Sequence, residues 1–346
     1  MDPRDDVNAS ASDASRYMFE KHGFTRVDWE NFWRAIDTEA EDKESGWEDA
    51  KIAWCEEIRS DLGGSARLLV AANVILVTDL EGELAEGCLN FADQAHGSLR
   101  IALSDLAHPH ARGRVPLIVL SDESDYYDYL SFHYPEEGTF PTSLGVQIYD
   151  GCPHVVVHYR EASDNATTIV HELSHLLVSH LPLPTWVNEG VAMQLPRALA
   201  ASFESGLKTN HAAGWWHSLV QSQYPILADD LIERHRAFWN EENIQGFWAG
   251  TSFRDVGEPN ELSYSLAETF ISRLSADWQT FLGFLSTAHY CDGGQTAALD
   301  HLGHGLSEIA EQLLGPGEWR PVRRELVRQW DATVSTTTDS GGVENP

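Results

Sequence analysis

"TTIVHELSHLLVSHLPLPTWVNEGVAMQL", residues 167 to 195, sets two histidines four apart around a glutamate and follows them, past two prolines, with a tryptophan and a second glutamate. The spacing predicts a helix from Asn165 to His180, with Asp164 or Asn165 as N-cap and Pro182 as terminator. At about 100° per residue, His171 and His175 lie one turn apart on one face, and Glu172 is the i, i+3 neighbour of His175. Ile169, Leu173, Leu176 and His180 form the opposite stripe, with Val170, Leu177 and Val178 beside it. A helix so nearly apolar all round is a buried one.

Burying two imidazoles and a carboxylate in such a helix is costly unless they are paired or coordinate a metal. Histidines at i and i+4 can both direct a ring nitrogen at one Zn²⁺, while the intervening glutamate lies beside the ion without binding it. A catalytic zinc usually takes three protein ligands. The continuation HExxHxxGxxH would need glycine at 178 and histidine at 181, where this chain has Val178 and Leu181. His180 is one residue out of register and on the wrong face, so it reads as an end-of-helix histidine. Glu189 is the better third ligand. "LPLP" forces a turn, "TWVNEGVAMQL" begins a second helix with Thr185 as its cap, and Glu189 then sits one to two turns in, able to face His171 and His175.

His171, Glu172, His175, Pro184, Trp186, Glu189, Gly190 and Ala192 together resemble the HExxH…P-x-W-x-x-E-G-x-A signature of the gluzincin metallopeptidases, especially the peptidase MA-like group. The resemblance is specific over residues 165 to 195 and architectural elsewhere. It implies a zincin-like fold and one Zn²⁺ per chain, held by His171, His175 and Glu189. It also implies Glu172 as general base and proton shuttle, and a peptide or protein as substrate. One position departs from the pattern: thermolysin-like gluzincins carry an aspartate four residues after the ligand glutamate, and here that residue is Met193. A donor for the transition-state oxyanion is expected from the later helices. Tyr264, in "ELSYSLAETFISRL", is that donor or else a core tyrosine; His211 and His217, near "GWWH", are more distant candidates.

The remaining histidines carry less. His108 with His110, and His154 with His158, alternate as strand or loop positions without a third ligand in sequence; His301 and His304 read as surface. The segment "TSLGVQIYD", 142 to 150, is either an ordinary hairpin strand or the edge on which an extended substrate adds. Its Gly145 would admit another backbone closely.

The rest of the chain sets the frame. With 346 residues, 42% of them apolar, it can bury a large core without disulfides. A net charge of −31, from 54 acidic against 23 basic residues of which only Lys21, Lys43, Lys51 and Lys208 are lysines, disfavours nucleic acid and anionic membrane as partners. That surface reads equally as adaptation to salt or as genome composition. Cys55, Cys88, Cys152 and Cys291 form no CxxC pair and read as reduced core residues. "MDPRDDVNASASDAS" has neither the basic start nor the apolar run of a secretory signal, and no segment is apolar for long enough to span a bilayer, so a cytoplasmic location is expected. The oligomeric state is left open.

Residues 1–15 and 332–346 read as disordered ends. Residues 16–64, with "WENFWRAI" and "WEDAKIAWCEEI", predict a cover of two or three helices. Residues 65–200 predict a sheet plus the zinc-binding helices. The candidate strands are "ARLLVAANVILVTD", "SLRIALSD", "RVPLIVLSD", "LGVQIYD" and "HVVVHYR". Residues 201–331 predict a helical subdomain. The sum is an α+β fold: a mixed sheet of about four to five strands with the active-site helix, then a mostly helical C-terminal part. The expected function is a zinc-dependent peptidase. The alternatives are a catalytically idle zincin-like domain that binds a protein or peptide, and a non-peptidase hydrolase using the same water.

Overall fold

The computed structural model describes residues 14–39, 42–107, 113–134, 144–149, 151–205, 213–222 and 229–322. The expected disordered ends fall outside these residues, except for 14 and 15, as do His108, His110 and His211. The fold is α+β, with a five-stranded mixed sheet followed by helices. Two compact units divide it: 1–177 with 195–224, and 178–194 with 225–346.

In the first unit a hairpin of β1 (Met18–Lys21) and β2 (Phe24–Val27) precedes α1 (Trp29–Glu39) and α2 (Lys43–Asp61). Two helices fall within the sequence reading of two or three; the hairpin that precedes them lies outside it. Its turn residues, His22 at φ 55 and Gly23 at φ 74, adopt the left-handed conformation that closes a two-residue hairpin.

The sheet runs β3 (Arg67–Val70), β4 (Val74–Thr78), β5 (Val115–Leu120), β7 (His154–His158) and β6 (Gly145–Ile148) in spatial order. β4, β5 and β7 are parallel, whereas β3 and β6 flank them antiparallel. Every residue of β4, β5 and β7 is buried, which is why these strands read as unbroken apolar runs. Pleating sends Ile75, Val77, Ile118, Leu120, Val156, Val146 and Ile148 to one face. There they meet Trp29, Phe32, Trp33 and Trp54 of α1 and α2, together with Tyr126, Tyr129 and Leu130 of α4 (Glu123–Leu130). Gly145, paired with Val157, points to the opposite face. On that side α3 (Gly82–Leu103) packs on β4.

The strand count agrees with expectation, but its membership does not. "ARLLVAANVILVTD" folds back on itself as β3 and β4, while "SLRIALSD" is the C-terminal end of α3 and the start of the 3-10 turn that follows it. As a strand, Leu99, Ile101 and Leu103 would share a face. In the helix Leu99 and Leu103 are fully buried and Ile101 is 83% exposed.

In the second unit the helices are α8 (Asp229–Phe238), α9 (Ile244–Ala249), α10 (Glu258–Leu274), α11 (Trp278–Thr287) and α12 (Leu306–Leu314). Of the remaining helices, α5 (Ala162–Val178) and α7 (Ala213–Ser222) belong to the first unit apart from Val178, and α6 (Thr185–Ser205) is divided between the units after Gln194; α5 and α6 carry the motif. The second unit's core is aromatic: Trp186, Phe247, Trp248, Phe270, Phe281 and Phe284 are all fully buried or nearly so. All four cysteines are free thiols; three are buried and Cys291 is half-buried. Among the described residues no helix is long and apolar enough to cross a membrane.

Candidate metal centre

The chain reaches α5 from β7 through a short link fixed by Asn165. Its side-chain amide donates to the His158 carbonyl at 2.8 Å, and its oxygen accepts from the Arg160 amide at 2.9 Å. Neither Asn165 nor Asp164 is therefore the cap, because α5 begins at Ala162 and Asn165 already bonds back to the Glu161 carbonyl at 3.1 Å. A buried, doubly bonded asparagine ties the helix to the end of a central strand. The apolar stripe follows: Ile169, Val170, Leu173, Leu176 and Leu177 are fully buried. Ser174, also buried, donates to the Val170 carbonyl at 2.6 Å and so leaves no polar orphan in the stripe.

On the remaining face the Nε2 atoms of His171 and His175 stand 3.0 Å apart, with their rings nearly perpendicular at 83°. The i, i+4 spacing converges both imidazoles on one point, as the sequence predicts. Glu172 is buried at 8% exposure, and its Cγ lies 3.2 Å from where a Cβ on Gly145 would stand. The same Cβ would lie 2.4 Å from Thr168 Cγ2. Glycine at 145 is therefore required by the close approach of two α5 side chains, rather than by another backbone. The half-exposed Tyr149, just past the end of β6, donates from its hydroxyl to the His175 carbonyl at 3.3 Å. No local signal marked this residue, because 26 positions separate it from its partner.

α6 begins at Thr185, which is its first residue and not its cap: the amides of Val187 and Asn188 bond back to the Pro184 carbonyl. Two motif residues set its rotation. Trp186 is fully buried; it packs edge-on against Trp248 at 5.6 Å and Phe270 at 6.0 Å, and its indole N–H donates to the Gly293 carbonyl at 2.9 Å. A Cβ on Gly190 would fall 2.4 Å from Ile271 Cγ1 and 2.8 Å from the Ala267 carbonyl oxygen, so α6 rests on α10 at a position only glycine allows. Tryptophan three residues before Glu189 and glycine directly after it thus fix the helix face from which Glu189 projects. His171, His175 and Glu189 each offer one ligand atom, and the three atoms lie within 4.8 Å of one another.

The other candidates lie outside this ligand set. Tyr264 is in the second turn of α10, half-buried, with its ring edge-on to Phe253 at 5.2 Å. Met193 is half-buried on α6, one turn beyond Glu189. His180 is exposed past the end of α5, and His217 is exposed on α7. His301 and His304 are exposed, and His304 lies 3.7 Å from Glu308. His154 and His158 are buried in β7, where His158 stacks on Tyr126 at 5.6 Å. No protein family, curated protein or solved structure matches the chain, so the reading rests on the sequence motif and the geometry just described.

Proposed function

We propose that the chain is a zinc-dependent peptidase of the gluzincin type, with His171, His175 and Glu189 as the ligands and Glu172 as the general base. One observation carries the reading: two imidazole nitrogens and a carboxylate oxygen gather within 4.8 Å on two apolar helices. That donor set, three protein ligands of which two are imidazoles and one a carboxylate, is the one used by catalytic zinc sites that keep a position open. Zinc held there would supply Lewis acidity, lowering the pKa of a water and polarising the scissile carbonyl.

The chain's own residues do the rest. Glu172, next to the ligand set but outside it, takes the proton of the attacking water and later gives it to the leaving amine. β6 ends the sheet, and its Gly145 lies over Glu172, so an extended peptide adding along this strand would bring a backbone carbonyl towards the general base. Tyr264 is assigned as the hydroxyl that stabilises the developing oxyanion.

The test is a peptide-library digest with and without chelator, run on wild type and on Glu172→Gln. Wild type should cleave, and chelation should abolish cleavage. Glu172→Gln should retain fold and zinc while losing at least about 10³-fold in kcat. Undiminished cleavage by Glu172→Gln assigns the chemistry elsewhere. A zinc-loaded wild type that cleaves nothing would favour a zincin-like domain that binds a protein or peptide without turning it over. Tyr264→Phe should lower kcat about 10²-fold with little change in KM.

A further inference from the structure

Within the first unit, a cavity of about 630 Å³ opens between the β1–β2 hairpin, α1 and the end of α4. Its walls are aromatic, with Trp29, Trp33, Trp54 and Phe132 among them, and its polar groups include Arg26, His133 and His154. The volume lies in the range of small-molecule sites, about 300–1,000 Å³.

Arg26 is the unusual wall. It is 3% exposed. Its Nη2 donates to the Tyr129 carbonyl at 2.8 Å, but Nε and Nη1, both buried, have no hydrogen-bond partner. The guanidinium carbon lies 4.3 Å from the Tyr129 ring centre and 4.9 Å from that of Phe132. Those ring faces attract the positive charge but satisfy neither N–H. Asp61, the acid whose field reaches it, accepts instead from the Thr25 amide at 2.6 Å. Arginine stays charged in proteins, so a desolvated cation with two open, buried donors forms part of the cavity wall.

The histidines add no positive charge. Nδ1 of His154 sits 2.7 Å from the Cys152 carbonyl oxygen and must carry the ring proton; Nε2 then accepts from the Tyr129 hydroxyl at 2.8 Å. Burial lowers His154 to about 4 and His133 to about 3, so both are neutral near pH 7. Nε2 of His133 is buried without a partner. Asp28 and Glu30, both exposed, complete the lining, and their charge disfavours a dianion such as a phosphate ester.

We propose that this cavity is a binding site for a monocarboxylate on an aromatic body. The carboxylate takes the open N–H groups of Arg26, and the ring lies among Trp29, Trp33 and Trp54. A guanidinium is the side chain best suited to a carboxylate, and the indole walls accept a flat apolar group. Two sources present this chemistry: a free arylalkanoic acid, or the C-terminal aromatic residue of a peptide.

The test is calorimetric titration of the full chain with phenylacetate and N-acetyl-phenylalanine, each against its amide. Both acids should bind at least tenfold tighter than their amides. Arg26→Met should bring the acids down to the affinity of the amides, and Arg26→Lys should fall between the two. The tighter of the two acids identifies the source. Equal affinity of acid and amide overturns the proposal. So does acid binding that survives Arg26→Met, since that places the acid elsewhere, for instance on the metal centre. A measurement on wild type guards against misfolding of the variants. The indole N–H resonance of Trp33, which donates to the Gly151 carbonyl at 2.7 Å, should shift with phenylacetate at concentrations where phenylacetamide leaves it in place, and a resonance unmoved by saturating phenylacetate also overturns the proposal.

Discussion

The helical hairpin of α5 and α6 and the cavity around Arg26 both hold polar groups in apolar surroundings, and they resolve the cost in opposite ways. In the hairpin, two imidazoles and a carboxylate converge until their ligand atoms lie within 4.8 Å, a separation at which one cation can satisfy all three. In the cavity, a single guanidinium is surrounded by ring faces and one carbonyl, and two of its nitrogens are left open. Convergent donors of mixed type fit a metal ion, whereas an isolated buried cation fits an organic anion.

That contrast can be tested through stability. The largest effect is expected in the hairpin from Trp186→Ala, which removes a fully buried indole and its bond to the Gly293 carbonyl; denaturant unfolding should show a loss of about 3–5 kcal/mol. A loss below about 1 kcal/mol would mean that the indole does not anchor α6.

The cavity should reveal itself through pH. His154 is held below its ordinary value by burial, to about 4, so the unfolded chain takes up its proton first as pH falls. Its stabilising contribution is fully present above about pH 6.5 and is lost between there and about 4, on the order of 3 kcal/mol in all. Melting temperatures of zinc-free protein across that window should fall, and His154→Gln should flatten the slope. An equal slope in the variant would assign the acid lability to other groups.

A smaller effect is expected from Gly190→Ala. Alanine is the better helix former, but its Cβ would sit 2.8 Å from the Ala267 carbonyl oxygen, so a net loss of about 1–3 kcal/mol should appear, together with weaker zinc retention as Glu189 is displaced. Unchanged stability and zinc content would show that α6 can shift without cost. The smallest effect belongs to Ile101→Gln on α3, within about 0.5 kcal/mol, because that side chain is 83% exposed.

The hairpin was legible in the sequence because its information is local. Periodicity places His171 and His175 on one face, and the prolines and Thr185 locate the second helix within thirty residues of the first. β5, β6 and β7 were legible for the same reason, as short apolar runs with turn residues beside them. "SLRIALSD" misled because eight residues cannot distinguish a two-residue period from a helical one when three of its apolar residues alternate. The β1–β2 hairpin was hidden by aromatic residues whose spacing also suits a helix. The Arg26 cavity left no trace, since Arg26, Trp54, His133 and His154 are brought together only by the folded sheet and its cover. The start of α5 was misplaced by three residues because Asn165, a good cap by type, is used instead to bind the end of β7.

The claim that three residues from two helices make one metal centre, with Glu172 beside it and outside it, is tested most directly by metal content. Elemental mass spectrometry of the purified chain should find about one zinc per chain in wild type and in Glu172→Gln, and little in Glu189→Ala, His171→Ala or His175→Ala. Full zinc occupancy in Glu189→Ala, or its loss in Glu172→Gln, would contradict the assignment of ligand and base.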